Sequence, residues 1–152
     1  RKVLADILNR KQELTALPNA AENLAFFHGR EGYRQLLLTG NSRVGASLKM
    51  DFFGLSQYFD FDHSGFAFDY YYRDDLARNA LAIARRTWGD DIEAMYVIGD
   101  TPHDIQCGKA IGARTISVAT GRHSYDDLAK CEPWKIIPSL PEPEAFEALL
   151  EA

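Results

Sequence analysis

Apolar positions recur at two spacings along this chain, and their alternation predicts a layered α/β fold. Val3, Leu4, Ile7 and Leu8 fall on one helical face. Leu17-Pro18-Asn19 then breaks the chain, with Asn19 placed to N-cap a helix carrying Ala21, Leu24, Ala25 and Phe27. Gln35-Leu36-Leu37-Leu38 is a short apolar run ending in Thr39-Gly40-Asn41, the pattern of a buried parallel strand followed by a tight turn. A helix with Val44, Leu48 and Phe52 follows and stops near Gly54. The stretch 58–72 is aromatic and irregular, and reads as a short strand or hairpin. Helical periodicity returns over 74–87 through Leu76, Ala80, Leu81 and Ile83. Met95-Tyr96-Val97-Ile98 is the clearest buried strand, and 103–111 a helix ended by Gly112. Thr115-Ile116-Ser117-Val118 and Lys135-Ile136-Ile137 are further strands, and Pro-Glu-Pro at 141–143 introduces a last helix through Phe146, Leu149 and Leu150.

Composition narrows the function. A chain of 152 residues with 46% hydrophobic and 26% charged residues fits one globular domain. Its net charge of −5 argues against a nucleic-acid-binding surface, so a small anionic substrate needs local cations or a metal to offset the acidity. Cys107 and Cys131 have neither CxxC spacing nor a His partner at metal-ligand spacing. A reducing, cytoplasmic setting is expected, with Cys107 acting as a small buried hydrophobe. No apolar run approaches the ~20 residues of a membrane span, and no signal peptide opens the chain. The chain begins with Arg1 rather than Met, which points to a processed or truncated start.

Two strand ends carry the candidate chemistry. Asp100 and Asp104 follow a buried strand across the turn Gly99-Asp100-Thr101-Pro102-His103-Asp104. Carboxylates fixed at the end of rigid elements suit a hard cation such as Mg²⁺. Spacing alone weighs this equally with Asp100 as a helix cap. Gly99 is read as the residue that lets the backbone turn sharply. Thr39-Gly40-Asn41-Ser42 offers a hydroxyl and backbone N–H groups to phosphate oxygens, although taken alone it is better read as an N-cap turn, with Asn41 or Ser42 accepting from the backbone. Arg73, just before a helix, could neutralise phosphate and a neighbouring carboxylate. Arg78, Arg85, Arg86 and Lys49 read as solvated charges. Thr39 and Asp100 gain meaning together, because open parallel sheets gather ligands beyond the carboxyl ends of their strands.

Leu36-Leu37-Leu38-Thr39-Gly40-Asn41, Arg73 ahead of a helix, and Val97-Ile98-Gly99-Asp100-Thr101-Pro102-His103-Asp104 resemble the haloacid dehalogenase (HAD) superfamily, in particular its phosphoglycolate-phosphatase-like hydrolases. The run from Gly108 to Gly121, with Ala113, Val118, Ala119 and Thr120, extends the likeness. The resemblance implies a Rossmann-like three-layer α/β/α core with a parallel sheet and Mg²⁺-dependent hydrolysis of a small phosphorylated metabolite. By that likeness Thr39, Gly40 and Asn41 bind the phosphoryl group, Arg73 holds nucleophile and phosphate together, Asp100 ligates the metal, and Asp104 ligates it or orients its water shell.

One part of the family pattern is not matched. The nucleophile is the first Asp of a DxDxT motif after the first core strand, and before Thr39 the only Asp is Asp6, in a helical pattern. Asp60-Phe61-Asp62-His63-Ser64 lies after Thr39 and reads as a decoy. The expectation is therefore a HAD core over 17–152 lacking its central first strand, between those ending at Thr39 and Gly99, and most of its cap. Residues 1–16 would be a cap remnant or the return to the core. On that view the nucleophile lies upstream of Arg1, and the chain by itself is unstable and inactive. Phosphatase action through an aspartyl-phosphate leads. A non-catalytic binding or regulatory domain, using the aromatic tract as a partner surface, is the alternative, with a dehalogenase or phosphotransferase third. Oligomeric state and substrate identity are not written in these residues.

Overall fold

The computed structural model describes residues 2–6, 19–39, 43–66, 73–120 and 123–151. Its strands are β1 (Lys2–Asp6), β2 (Tyr33–Thr39), β3 (Gly65–Phe66), β4 (Ala94–Gly99), β5 (Arg114–Val118) and β6 (Lys135–Ile137). All pair in parallel, in the spatial order β3-β2-β1-β4-β5-β6. The helices are α1 (Ala20–His28), α2 (Arg43–Phe53), α3 (Arg73–Trp88), α4 (Pro102–Ala110), α5 (Tyr125–Ala129) and α6 (Pro143–Glu151). The chain steps outward from β1 to β3, then crosses back to β4 and continues to β6. The reversal beside β1 is the topological switch point of an open α/β sheet.

β1 corrects the sequence reading. Val3 and Leu4 belong to a strand, and the place expected to be empty between β2 and β4 is filled by Lys2–Asp6. Leu4 pairs with Gln35 and Tyr96, and Asp6 pairs with Leu37 and Ile98. The two readings of Val3-Leu4-Ala5 are indistinguishable by period, because a short apolar run fits a buried strand as well as a helical turn. Partners on both sides decide it. Ile7, Leu8 and the rest of the stretch to Pro18 lie outside the described residues.

Alternation along β4 sorts the core into two layers. Tyr96 and Ile98 join Phe27, Ile116, Val118, Phe146 and Leu150 under α1 and α6. Val97, on the opposite face, packs with Leu38, Ala77 and Cys107 under α3 and α4. The three-layer arrangement is the expected one, and Cys107 is the buried small residue it was read to be.

Several local expectations change. Asn19 directly precedes α1 in a left-handed conformation (φ 64°) and makes no side-chain cap. Its amide instead donates to the Leu140 carbonyl at 2.9 Å, tying α1 to the segment before α6. The buried face of α1 is Ala20, Asn23, Leu24 and Phe27, leaving Ala21 and Ala25 exposed. In α2 the expected stripe is the wet one: Val44, Leu48 and Phe52 are 70%, 66% and 69% exposed, while Ala46 and Met50 pack against Leu24, Leu37 and Leu55. Both faces of this helix are apolar, so its period could not choose between them. The aromatic stretch forms two single 3₁₀ turns and the two-residue β3, which lies parallel to β2 at Leu38 and Thr39 rather than as a hairpin. Its remainder, 67–72, is outside the described residues.

One glycine sets how closely α4 lies on the sheet. A Cβ at Gly108 would stand 2.2 Å from Thr115 Cγ2 and 3.3 Å from Val97 Cβ. Overpacking of this kind costs about 1–3 kcal/mol. Gly108→Ala is expected to lower Tm by roughly 3–10 °C in thermal denaturation. An unchanged Tm would mean that α4 can lift away without loss.

Candidate functional site

The site is built at the carboxyl edge, where β2, β1 and β4 end side by side. Tyr96, Val97 and Ile98 anchor the last turn of β4 in the core, and the chain leaves the sheet at Gly99 with Asp100 next. α4 begins at Pro102, which needs no backbone N–H partner in a first helical turn. Thr101, in extended conformation, is the N-cap. Its backbone N–H and its hydroxyl both donate to Asp104 Oδ2 at 3.0 Å, and Asp104 N–H donates back to Thr101 Oγ1 at 3.4 Å. The helix cap that spacing allowed for Asp100 is therefore made by Thr101, and Asp104 completes the capping box.

Both carboxylates are buried, Asp100 to 6% exposure and Asp104 to 2%. Buried carboxylates demand compensation by hydrogen bonds, a helix N-terminus or a cation. The capping box supplies part of this for Asp104. Gly99 contributes space rather than a turn: it is not among the positive-φ glycines, but a Cβ there would lie 2.1 Å from Asp104 Oδ2. Hard oxygen donors fixed by a strand end and a first helical turn fit a cation such as Mg²⁺. Among the described side chains, no group of three or more His, Cys, Asp or Glu converges in metal-binding fashion.

Thr39 ends β2, opposite Phe66 of β3, and so lies on the same edge two strands from Gly99. Gly40 and Asn41 lie outside the described residues. Arg73 is the first residue of α3. Ala77, one turn on, is buried against Leu38, and further along the helix Ala84 lines the same apolar seam as Leu36 and Met95. α3 therefore runs from the carboxyl edge toward the amino edge, which puts Arg73 at the end where Thr39 and Asp100 stand. Arg85 and Arg86 are exposed, as expected.

Sequence reasoning missed one acidic position on this edge. Asp6 is the last residue of β1, between Leu37 of β2 and Ile98 of β4. The available signal was an apolar triplet ending in Asp, which a helical reading of residues 3–8 concealed. The other Asp-rich motif does not reach the edge between these strands. Asp60 lies along the outer side of β2, its N–H donating to the Gln35 carbonyl and its carboxylate 2.6 Å from His63 Nδ1. Asp62 accepts from Arg43 at 2.8 Å, and that guanidinium holds its carboxyl below the usual carboxylate range.

Comparison with known proteins adds to this geometry. The family model of haloacid dehalogenase-like hydrolases matches residues 1–109, and a second HAD-hydrolase-like model matches residues 75–146. The "Probable phosphatase IndB" of Dickeya dadantii (strain 3937) is 30% identical over 125 residues, which are 82% of this chain and 53% of that protein. The chain thus spans about half the length of this curated relative. A haloacid dehalogenase-like family hydrolase from Streptococcus pneumoniae superposes with a TM-score of 0.69 at 16% identity, covering 90% of this chain and 60% of its own. A hydrolase from Pseudomonas syringae does so with a TM-score of 0.58 at 19% identity, with the same two coverages of 90% and 60%. These structures share the fold.

Proposed function

The chain belongs to the haloacid dehalogenase-like hydrolase family, and from that premise we propose that the whole protein hydrolyses a small phosphomonoester with Mg²⁺ through an aspartyl-phosphate. The observation that carries this reading is the buried pair Asp100 and Asp104 at the end of β4, beside the ends of β1 and β2. Asp100 would hold the metal, and Asp104, steadied by Thr101, would complete the site. Bound there, Mg²⁺ would supply charge stabilisation to the phosphoryl group. Thr39, at the end of β2, binds the phosphoryl oxygens together with Gly40 and Asn41 that follow it in sequence, and Arg73 bridges phosphate and nucleophile from the start of α3. Two thiols, Cys107 and Cys131, accord with a cytoplasmic setting. No helix among the described residues is long and apolar enough to cross a membrane.

Asp6 is the acidic residue that this chain brings to the nucleophile position, at the carboxyl end of the central strand. Attack by its carboxylate on phosphorus forms the acyl phosphate and releases the alkoxide leaving group, which takes up a proton. In this family's pattern the next acidic residue, two positions on, handles that proton. Here it is Leu8, and Arg10 stands in place of the motif's Thr. The acid/base group must therefore come from elsewhere in the whole protein. Leu8 is also what favours the second reading, a binding domain that holds Mg²⁺ and phosphate without turnover.

Turnover of p-nitrophenyl phosphate by the whole protein tests both. Activity that requires Mg²⁺ and disappears in Asp6→Asn is the expected result. Activity that survives Asp6→Asn removes the nucleophile assignment alone. No turnover, with Mg²⁺ binding intact, overturns the phosphatase reading in favour of the binding domain.

A further inference from the structure

β3 is only two residues long and pairs with β2 at Leu38 and Thr39. Along the amino-terminal half of β2, the outer edge has no strand beside it among the described residues. The segment leading to β3 covers this edge incompletely: Asp60 N–H bonds to Gln35 O, and Ser64 Oγ accepts from Leu37 N–H. What remains is an open cleft of about 450 Å³, within the range of small-molecule sites. Arg34 lies five residues before Thr39, roughly 17 Å away along the strand. The cleft is therefore at the opposite end of the sheet from Asp100.

Its lining has a definite chemistry. His28 and Tyr58 form one wall, their rings edge-to-face at 5.7 Å. Trp88, at the end of α3, forms another with His63, their rings 5.2 Å apart. Asp60 is the one carboxylate among the described lining residues, and it is engaged by His63 Nδ1 at 2.6 Å. That contact directs the opposite ring nitrogen, Nε2, away from Asp60. Arg34 is half-buried in the same cleft, and its one hydrogen bond among the described residues is to the neighbouring Tyr33 carbonyl at 3.3 Å. It makes no ion pair with a described carboxylate. A guanidinium with no ion-pair partner among the described residues, in a cleft that aromatic side chains also line, is suited to an anion on a flat ring.

We propose that this cleft is a second ligand site, taking a small aromatic carboxylate whose ring lies between Tyr58 and Trp88 and whose carboxylate meets Arg34. Charged hydrogen bonds give the anion its affinity, and the aromatic walls select a planar body over a bare ion.

Calorimetric titration of the whole protein with benzoate tests this without any substitution. Saturable one-site binding is expected, with benzyl alcohol and inorganic phosphate (Mg²⁺ absent) each binding at least about tenfold more weakly. Arg34→Gln is expected to weaken benzoate binding by a similar factor, while quenching of Trp88 emission follows occupancy. Asp100→Asn should bind benzoate as the unaltered chain does, so this site and the carboxyl-edge site stand or fall separately. Heat without saturation, equal binding of benzyl alcohol or phosphate, or an Arg34→Gln chain with unchanged affinity overturns the proposal.

Discussion

Replacing Asp100 with Asn is expected to lower Mg²⁺-dependent phosphatase turnover of the whole protein by at least about a hundredfold, an effect of the size seen when one preorganised charge-stabilising group is removed. Asp100 is 6% exposed at the end of a strand whose preceding residues, Tyr96 to Ile98, are locked in the core. Asparagine keeps the shape but offers a neutral oxygen, a much poorer donor to a hard divalent cation. The accompanying stability measurement separates function from folding. Tm in EDTA, measured for both proteins, gives the part of any loss that belongs to folding. Added Mg²⁺ should raise the Tm of the unaltered protein and not that of the variant. Turnover within about threefold of the unaltered rate would remove Asp100 from the metal site, since loss of a single ligand is not so mild.

Gly99→Ala is the second large effect, and it acts on Asp104. The new Cβ would lie 2.1 Å from Asp104 Oδ2, 2.3 Å from Cγ and 2.6 Å from Cβ. Rotation of the carboxylate alone cannot relieve all three, so the first turn of α4 must shift. Both bonds from Thr101 to Asp104 Oδ2, at 3.0 Å each, are then lost. Loss of an N-cap costs ~1 kcal/mol and overpacking a further 1–3 kcal/mol. A Tm fall of roughly 4–14 °C follows for a chain of this size. Mg²⁺-dependent turnover should drop at least about tenfold as the carboxylate leaves its place. A variant with both Tm and turnover unchanged would show that the strand end has slack that this packing denies it.

The carboxyl-terminal half was legible because its elements carry their own punctuation. Pro102 opens α4 and Gly112, at φ 71°, follows its end. The apolar runs of β4, β5 and β6 are separated by charged and turn residues, and Pro143 opens α6. Only the short α5 between β5 and β6 escaped notice; Ser124, whose hydroxyl accepts from Asp127 N–H, was its available signal. The candidate site was legible for the same local reason. Asp100 and Thr39 follow apolar strand runs directly, so their place at strand ends needed no tertiary information.

Elsewhere the deciding interactions are far away in sequence. Residues 2–6 are a strand because residues 33–37 and 94–98 pair with them on either side. Asp6 thereby stands between the strand ends rather than on a helix. The exposed face of α2 was equally undecidable locally: Val44, Leu48 and Phe52 are more apolar than the Ala46 and Met50 that are buried in their place. Which face turns inward depends on Leu24, Leu37 and Leu55, which the helix cannot anticipate. Composition and local spacing by themselves determined the fold class, most element positions and the acidic turn Asp100 to Asp104, because hydrophobic period and turn chemistry are properties of a few neighbouring residues. The tertiary structure alone decided the central strand, the helix face, the true N-cap at Thr101 and the cleft beside β2, because each depends on which distant backbone or side chain arrives next to it.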